Sequence, residues 1–186
     1  MIRICLLWAL PVVGLAHPAL ETRINDLTQA ITQVPDSAEL YLRRGHLYAQ
    51  HSDADLARKG YEAARLISES AQVLAALGDL HYAAGEHARA RTLFAAALDK
   101  SEDHTAAWLG QARASVALGD YELATISYRT YFERADHPQP GYMAAAVRAI
   151  AHHDRDAAID LLSAALERLG PVPTLLKLEE QLSTPQ

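Results

Sequence analysis

Residues 71–104 read AQVLAALGDLHYAAGEHARARTLFAAALDKSEDH, and this stretch decides the fold. It consists of two alanine- and leucine-rich segments joined near Gly85, a residue type that commonly ends one helix before the next begins. The small residue Ala90 returns as Ala124 and again as Ala158. This spacing of 34 residues is typical of arrays of helical hairpins. The sequence therefore predicts a repetitive chain built from helices.

The period places four hairpins end to end within residues 36–171. Their predicted bounds are about 38–70, 71–104, 105–138 and 139–171. Each hairpin has a central turn of residues that stop one helix and cap the next, and these turns lie at Ser52-Asp53, Gly85-Glu86, Gly119-Asp120 and His153-Asp154. No segment shows the sustained alternation of apolar and polar residues that a half-buried strand needs. We therefore predict an all-α fold.

The residues at the repeated positions resemble the tetratricopeptide repeat family. That family has an aromatic residue, Leu-Gly and Tyr on the first helix of each hairpin, and Ala and Phe on the second. The best-matching residues of the first two hairpins are Tyr41, Gly45, Tyr48, Ala57, Tyr61, Leu74, Leu77, Gly78, Tyr82, Ala90 and Phe94. The third hairpin keeps Trp108, Gly119, Ala124 and Tyr128, and the fourth keeps Tyr142, Ala158 and Ala165. The resemblance implies a right-handed α-solenoid of about four hairpins.

An array of hairpins leaves an apolar face at each end that must be covered. Residues 17–35 are predicted to form an N-terminal lid helix, whose apolar face is made by Leu20, Ile24, Leu27 and Ile31. Residues 172–186 are predicted to form a C-terminal capping helix and tail, with Leu175, Leu178 and Leu182 on one face. In an alternative interpretation, this last helix leaves its own array and packs on a second copy, which would give a homodimer.

The first sixteen residues have the pattern of a signal peptide. Arg3 supplies a positive charge, residues 4–15 are uncharged and largely apolar, and Gly14 and Ala16 are small residues at the positions that signal peptidase reads. The apolar run is shorter than the ~20 residues of a membrane span. We therefore predict cleavage after Ala16, a periplasmic or secreted protein, and no membrane span after cleavage. The only cysteine, Cys5, would leave with the signal.

The charge of the chain argues against two classes of partner. The formal net charge is −6, and no cluster of Lys and Arg offsets it. Nucleic acids and anionic lipids both bind preferentially to clustered basic residues. A protein or a peptide is therefore the predicted partner, and nucleic acid is not.

The resemblance implies that the first helix of each hairpin lines a concave groove. The residues placed there by register are Leu42, His46, Asp79, Tyr82, Leu109, Arg113, Val116, Met143 and Ile150. Some family members hold a peptide's terminal carboxylate with Lys and Asn at such positions, and these residues are missing here. The predicted ligand is instead a partly apolar peptide segment whose direction is set by Asp79 and Arg113. In the alternative, these two residues only pair with each other, and the terminal helix fills the apolar inner face.

The sequence contains no signature of catalysis or of a bound cofactor. It lacks a phosphate-binding Gly-rich loop, a Gly-x-Ser-x-Gly elbow and a His-Glu-x-x-His motif. Its nine histidines include no His-x-x-x-His pair, which would place two imidazoles on one helical face. A remote alternative is copper binding by the processed amino terminus at His17, which would require a second histidine brought close by folding. We predict a non-enzymatic adaptor or scaffold without cofactor or metal, and the alternative is a structural, oligomer-forming subunit.

Overall fold

The computed structural model describes residues 18–183, and this part of the chain consists of ten helices without any strand. The helices are α1 (Pro18–Gln33), α2 (Ala38–Gln50), α3 (Ala54–Ile67), α4 (Ala71–Ala83), α5 (His87–Lys100), α6 (Thr105–Ala117), α7 (Tyr121–Arg134), α8 (Pro140–Ala151), α9 (Arg155–Leu169) and α10 (Pro173–Ser183). The predicted all-α array is confirmed. The predicted signal peptide and His17 lie outside the described residues.

Short polar side chains begin several of the helices. Asp53, Asp120 and Asp154 each accept a hydrogen bond from the backbone N–H three residues later, at 3.0, 3.2 and 2.9 Å. These bonds satisfy N–H groups that have no partner within the helix. Gly119 precedes the Asp120 cap, and Gly85 precedes the start of α5, where Glu86 makes no side-chain capping bond. Their φ values are 77° and 78°, a conformation that glycine adopts without a steric penalty. Three of the four predicted turns therefore supply a side-chain helix cap, and the turn at Gly85-Glu86 does not.

Small residues allow the two helices of each hairpin to approach closely. The repeated alanines Ala57, Ala90, Ala124 and Ala158 are all fully buried. Gly78 is equally restricted, because a Cβ built there would lie 2.7 Å from the ring of Phe94 in the same hairpin, and a Cβ at Gly110 of the next hairpin would lie 2.3 Å from that ring. Such contacts leave no room for a larger side chain without repacking. The alanines that repeat every 33 or 34 residues in the sequence therefore lie where two helices cross closely.

The two terminal helices cover the ends of the array. Helix α1 packs on α2, and α10 packs on α8 and α9 of the same chain. Leu175 and Leu178 of α10 are buried in one apolar cluster with Met143, Val147 and Ile150 of α8. Helix α10 therefore packs across both helices of the fourth hairpin, in the apolar cluster that contains the predicted groove residues of α8. Within residues 18–183, no helix is both long and apolar enough to cross a membrane.

Candidate functional site

The structure divides the predicted groove residues into an accessible group and a buried group. His46 and Asp79 are exposed, and the half-buried members are Tyr82, Leu109, Arg113 and Val116. Leu42, Met143 and Ile150 are buried, at 6%, 0% and 0% exposure. Leu42 lies in the core between the first two hairpins, whereas Met143 and Ile150 lie beneath α10. A ligand therefore cannot reach these three side chains, and the accessible surface lies on α2, α4 and α6.

A tyrosine of the first hairpin joins this surface through its hydroxyl group. The Tyr61 hydroxyl lies 2.9 Å from Nδ1 of His46. Loss of hydration lowers the pKa of His46, and the charge of Glu39 opposes this effect only in part. Burial, reinforced by the charge of Asp79, raises the pKa of Tyr61 to about 12. Both groups are therefore neutral at pH 7, and in the tautomer that carries its proton on Nε2, His46 accepts the hydrogen bond from Tyr61, which leaves the hydroxyl oxygen able to accept a further one.

Asp79 is a carboxylate without a direct partner in the described part of the chain. Its side chain is exposed, and among residues 18–183 it accepts no hydrogen bond and has no cation within 4.0 Å. Loss of hydration nevertheless raises the pKa of Asp79, with the charges of Arg113 and His104 opposing the effect. Asp79 is therefore accessible to water but surrounded by protein atoms that reduce its hydration. This combination is expected of a residue in a concave surface.

Arg113 is held by an aromatic ring instead of by a carboxylate. Its guanidinium carbon lies 4.4 Å from the centre of the Tyr82 ring, which is a cation–π contact. Tyr128 lies in the same region, and its pKa is raised to about 12 by burial, with Arg113 opposing and Tyr82 reinforcing the shift. The alternative in which Asp79 and Arg113 form a direct ion pair is not the arrangement seen in the described chain, since their charges interact only at longer range.

A cavity of about 260 Å³ opens beside Asp79 between the first two hairpins. We call it the alanine slot, and its lining residues are Ala49, Ser52, Ala54, Tyr61, Ala76, Asp79, Leu80 and Ala83. The walls are mainly methyl groups, and the carboxylate of Asp79 is the only charged group among the lining side chains. The slot therefore combines an apolar passage with one negative charge.

The structure adds residues that the sequence assigned to the core or did not single out. Tyr61 and Tyr128 occupy the aromatic position of the second helix, and sequence periodicity predicts only a packing role there. Ala49 and Ala54 carry no chemical signal in the sequence. Comparing each hairpin with the next would have found them, because larger residues stand at the matching positions of the second hairpin.

Residues 18–183 hold no group of three or more His, Cys, Asp or Glu residues placed to bind a metal ion. Individual histidines have other roles in the fold. His104 caps α6 by accepting a hydrogen bond from the backbone N–H of Ala107, at 3.2 Å. His81 is buried and lies 2.7 Å from a carboxylate oxygen of Glu86. The predicted copper site at His17 lies outside the described residues and stays an untested alternative.

Comparisons with known proteins agree with this architecture. Residues 75–138 match the family model described as Tetratricopeptide repeat. None of the curated proteins matches the chain significantly. Among solved structures, MamA is 18% identical with a TM-score of 0.66, over 82% of this chain and 90% of that chain.

Two further structures extend the comparison. YrrB, described as a TPR protein with an unusual peptide-binding site, is 18% identical with a TM-score of 0.66, over 88% of this chain and 84% of that chain. PilF of Pseudomonas aeruginosa is 15% identical with a TM-score of 0.72, over 89% of this chain and 76% of that chain. At such identities the similarity shows the fold, which is a stack of helical hairpins.

Proposed function

The chain belongs to the tetratricopeptide repeat family, and from this premise we propose that it is a non-catalytic adaptor that binds a peptide segment of a partner protein in its concave groove. The groove is the accessible surface of α2, α4 and α6. The fourth hairpin does not contribute, because Met143, Val147 and Ile150 at its groove positions are fully buried. The ligand we propose is partly apolar and runs along the first three hairpins.

One observation carries this proposal. Asp79 and Arg113 occupy equivalent positions of successive hairpins, and neither is neutralised by a direct ion pair within the described chain. Charged groups that only stabilise a fold are usually paired or fully hydrated. A partner with complementary charges would complete both groups and fix its own direction in the groove.

We propose binding without catalytic turnover for this chain. The two described histidine contacts, of His46 with Tyr61 and of His81 with Glu86, include no Ser, Cys or Lys nucleophile of the kind that covalent catalysis uses. The shifted pKa values of the groove belong to tyrosines, one histidine and one aspartate, and burial or loss of hydration is the largest cause of each shift. These shifts describe a concave surface and do not require a reaction.

We also propose that the protein acts outside the cytoplasm, in a periplasm or after secretion. The support is the signal-peptide pattern of residues 1–16. Expression of the full chain in a bacterium, followed by mass measurement of the purified protein, tests this. A chain beginning at His17 supports export. A full-length chain in the cytoplasmic fraction contradicts it.

A second candidate function is assembly through the outer surface. A cleft of about 580 Å³ lies between α7 and the start of α9, and it contains Ile126, which is 52% exposed. Exposed apolar side chains in a cleft are typical of protein contacts. Light scattering of the purified protein separates this structural role from a monomeric adaptor. A dimer lost on changing Ile126→Asp would favour assembly through this cleft.

Site-specific photo-crosslinking tests the groove proposal. A photoreactive amino acid at Ala83 would lie in the groove, whereas the same group at Leu66, which is 89% exposed, would lie at the end of α3. Both positions are accessible, so folding should be retained in each variant. The proposal predicts that one partner from an extracytoplasmic extract crosslinks at position 83 and not at 66. Equal crosslinking at both positions would contradict it.

A further inference from the structure

The alanine slot is open because of two small residues in the first hairpin. Ala49 and Ala54 both line it, and both are exposed. The matching positions of the second hairpin hold Tyr82 and His87, whose ring centres lie 5.0 Å apart. The equivalent space at the next junction is therefore filled by rings of the chain itself.

The residue at the polar side of this space also differs between the two junctions. Asp79 borders the slot, whereas Arg113 stands at the equivalent position one hairpin later and stacks on Tyr82. At the junction of the second and third hairpins, the chain therefore supplies both the cation, Arg113, and the aromatic ring that it stacks on, Tyr82. At the first junction, a carboxylate faces an open cavity. A cation from outside the chain would complete this arrangement.

The oxygen atoms around the slot suit a primary ammonium group. The carboxylate of Asp79 can accept two hydrogen bonds, and the Tyr61 hydroxyl oxygen can accept another in the His46 tautomer to which Tyr61 donates its proton. The Ser52 hydroxyl also lines the slot. An ammonium group carries three donors and no acceptor, so it matches this set of acceptors.

The walls of the slot suit the rest of a lysine side chain. The methyl groups of Ala49, Ala54 and Ala76, together with Leu80, form an apolar passage toward Asp79. Lysine has a flexible four-carbon stem that buries against apolar surface while its charged end reaches a polar group. Arginine would bring a rigid planar fork of donors, whereas the acceptors of the slot come from three separate side chains, to which the rotatable donors of an ammonium group adapt more readily. The net charge of −6 adds a general attraction for a cationic segment.

We propose that the alanine slot binds the side chain of a lysine residue within the peptide segment that the groove holds. This inference rests on the proposed function and specifies one feature of its ligand. The lysine stem lies between the first two hairpins, and its ammonium group meets Asp79. Arg113 lies one hairpin further along and faces an acidic or polar residue of the same segment.

A displayed library of random linear peptides tests the inference with the full chain. We expect the selected peptides to share a lysine at one position. A synthetic copy of a selected peptide is then compared with a version in which norleucine replaces that lysine, which keeps the methylene stem and removes the charge. The norleucine peptide should bind at least about tenfold more weakly.

Two variants locate the effect in the slot. Asp79→Asn removes the charge and keeps the shape, whereas the pair Ala49→Tyr and Ala54→His imports the rings of the second hairpin. Each should reduce binding of the lysine peptide to the level of the norleucine peptide. Asp99→Asn, at an exposed position of α5, is the matched control and should leave binding unchanged.

The outcomes separate this inference from the proposed function. Selected peptides that bind α2, α4 and α6 without a shared lysine would overturn the lysine site and leave groove binding intact. Equal affinity of the lysine and norleucine peptides would also overturn it. A library from which nothing is selected would remove support from the proposed function itself, and the lysine site would fall with it.

Discussion

The guanidinium carbon of Arg113 lies 4.4 Å from the centre of the Tyr82 ring, so a cation of the third hairpin rests on an aromatic ring of the second. This contact fixes the charge at the inner surface without neutralising it. A cation–π contact at a partly exposed site stabilises the fold by only ~0.5–1 kcal/mol. The same charge can contribute much more to binding once a ligand excludes water.

Changing Arg113→Glu should therefore affect binding more than stability. We expect at least about tenfold weaker binding of a selected peptide, because the variant places a negative charge near Asp79. The melting temperature should fall by no more than about 2–4 °C, which corresponds to ~1 kcal/mol in a chain of this size. Titration calorimetry and thermal melts measure the two effects. Arg129→Glu on α7 is the control, and an equal loss of binding in that variant would contradict the assignment.

Changing Asp79→Asn should stabilise the unliganded protein at neutral pH. The pKa of Asp79 is raised above its ordinary value of 3.8 in the folded chain, with loss of hydration as the largest cause. Between these two pKa values the folded state holds more protons than the unfolded state, so the contribution of Asp79 to stability falls as the pH rises through this window. The advantage of the variant should thus be larger at pH 7 than at pH 4.

Thermal melts of the parent and the Asp79→Asn variant at both pH values measure this difference. Asp99→Asn is the control, because this residue is exposed on α5. The control should melt at nearly the same temperature as the parent. An Asp79→Asn variant that is less stable than the parent at pH 7 would show that the carboxylate stabilises the fold.

Changing Gly110→Ala should destabilise the array, because the new Cβ would lie 2.3 Å from the ring of Phe94. The ring is fully buried and cannot move into solvent. Overpacking of this kind costs ~1–3 kcal/mol. Gly141→Ala is the matched control, since within the described chain no atom beyond its own helical turn lies within 4 Å of its Cβ position, and alanine there should be neutral or stabilising. Urea denaturation measures the free energy of unfolding of both variants.

A double variant checks the cause of the Gly110 effect. Phe94→Leu by itself should destabilise the protein by leaving a cavity. Combined with Gly110→Ala, it should cost less than the sum of the two single changes, because the smaller side chain makes room for the new methyl group. Additive costs would contradict a direct contact between the two positions.

Changing Leu175→Ala should loosen the C-terminal end of the array. Leu175 is fully buried against α8, and truncation of such a side chain costs ~2–5 kcal/mol. The loss should also expose Met143 and Ile150, which increased binding of a hydrophobic dye would report. Leu176→Ala is the control, since this neighbouring side chain is 42% exposed. Equal effects of the two changes would argue against the described packing of α10.

Much of the fold could be predicted because each hairpin repeats the same packing problem. Close helix crossings require Ala or Gly, and turns require Asp or Gly, so both leave a periodic trace in the sequence. Ala90 and Asp120 illustrate this, one as a buried crossing and the other as a helix cap. The helices can therefore be predicted from the sequence of each hairpin alone, without knowing how the hairpins pack on one another.

The site was harder to predict, because it depends on contacts between hairpins. The amphipathic pattern of α10 predicts a packed helix but does not say which surface it covers, and Met143 and Ile150 are buried for that reason. The aromatic position of Tyr61 predicts core packing, whereas its hydroxyl reaches His46 at the inner surface. The alanine slot exists through the absence of side-chain volume, which leaves no chemical motif in a sequence.

Mapping a bound peptide by amide chemical shifts tests the central claim most directly. A peptide selected from a displayed library is titrated into the isotope-labelled protein, and the shifted amides are assigned to helices. Binding in the groove predicts that the largest shifts lie on α2, α4 and α6, including the residues around Asp79 and Arg113. Shifts confined to the second helices α3, α5 and α7 would contradict the claim and place recognition on the outer surface.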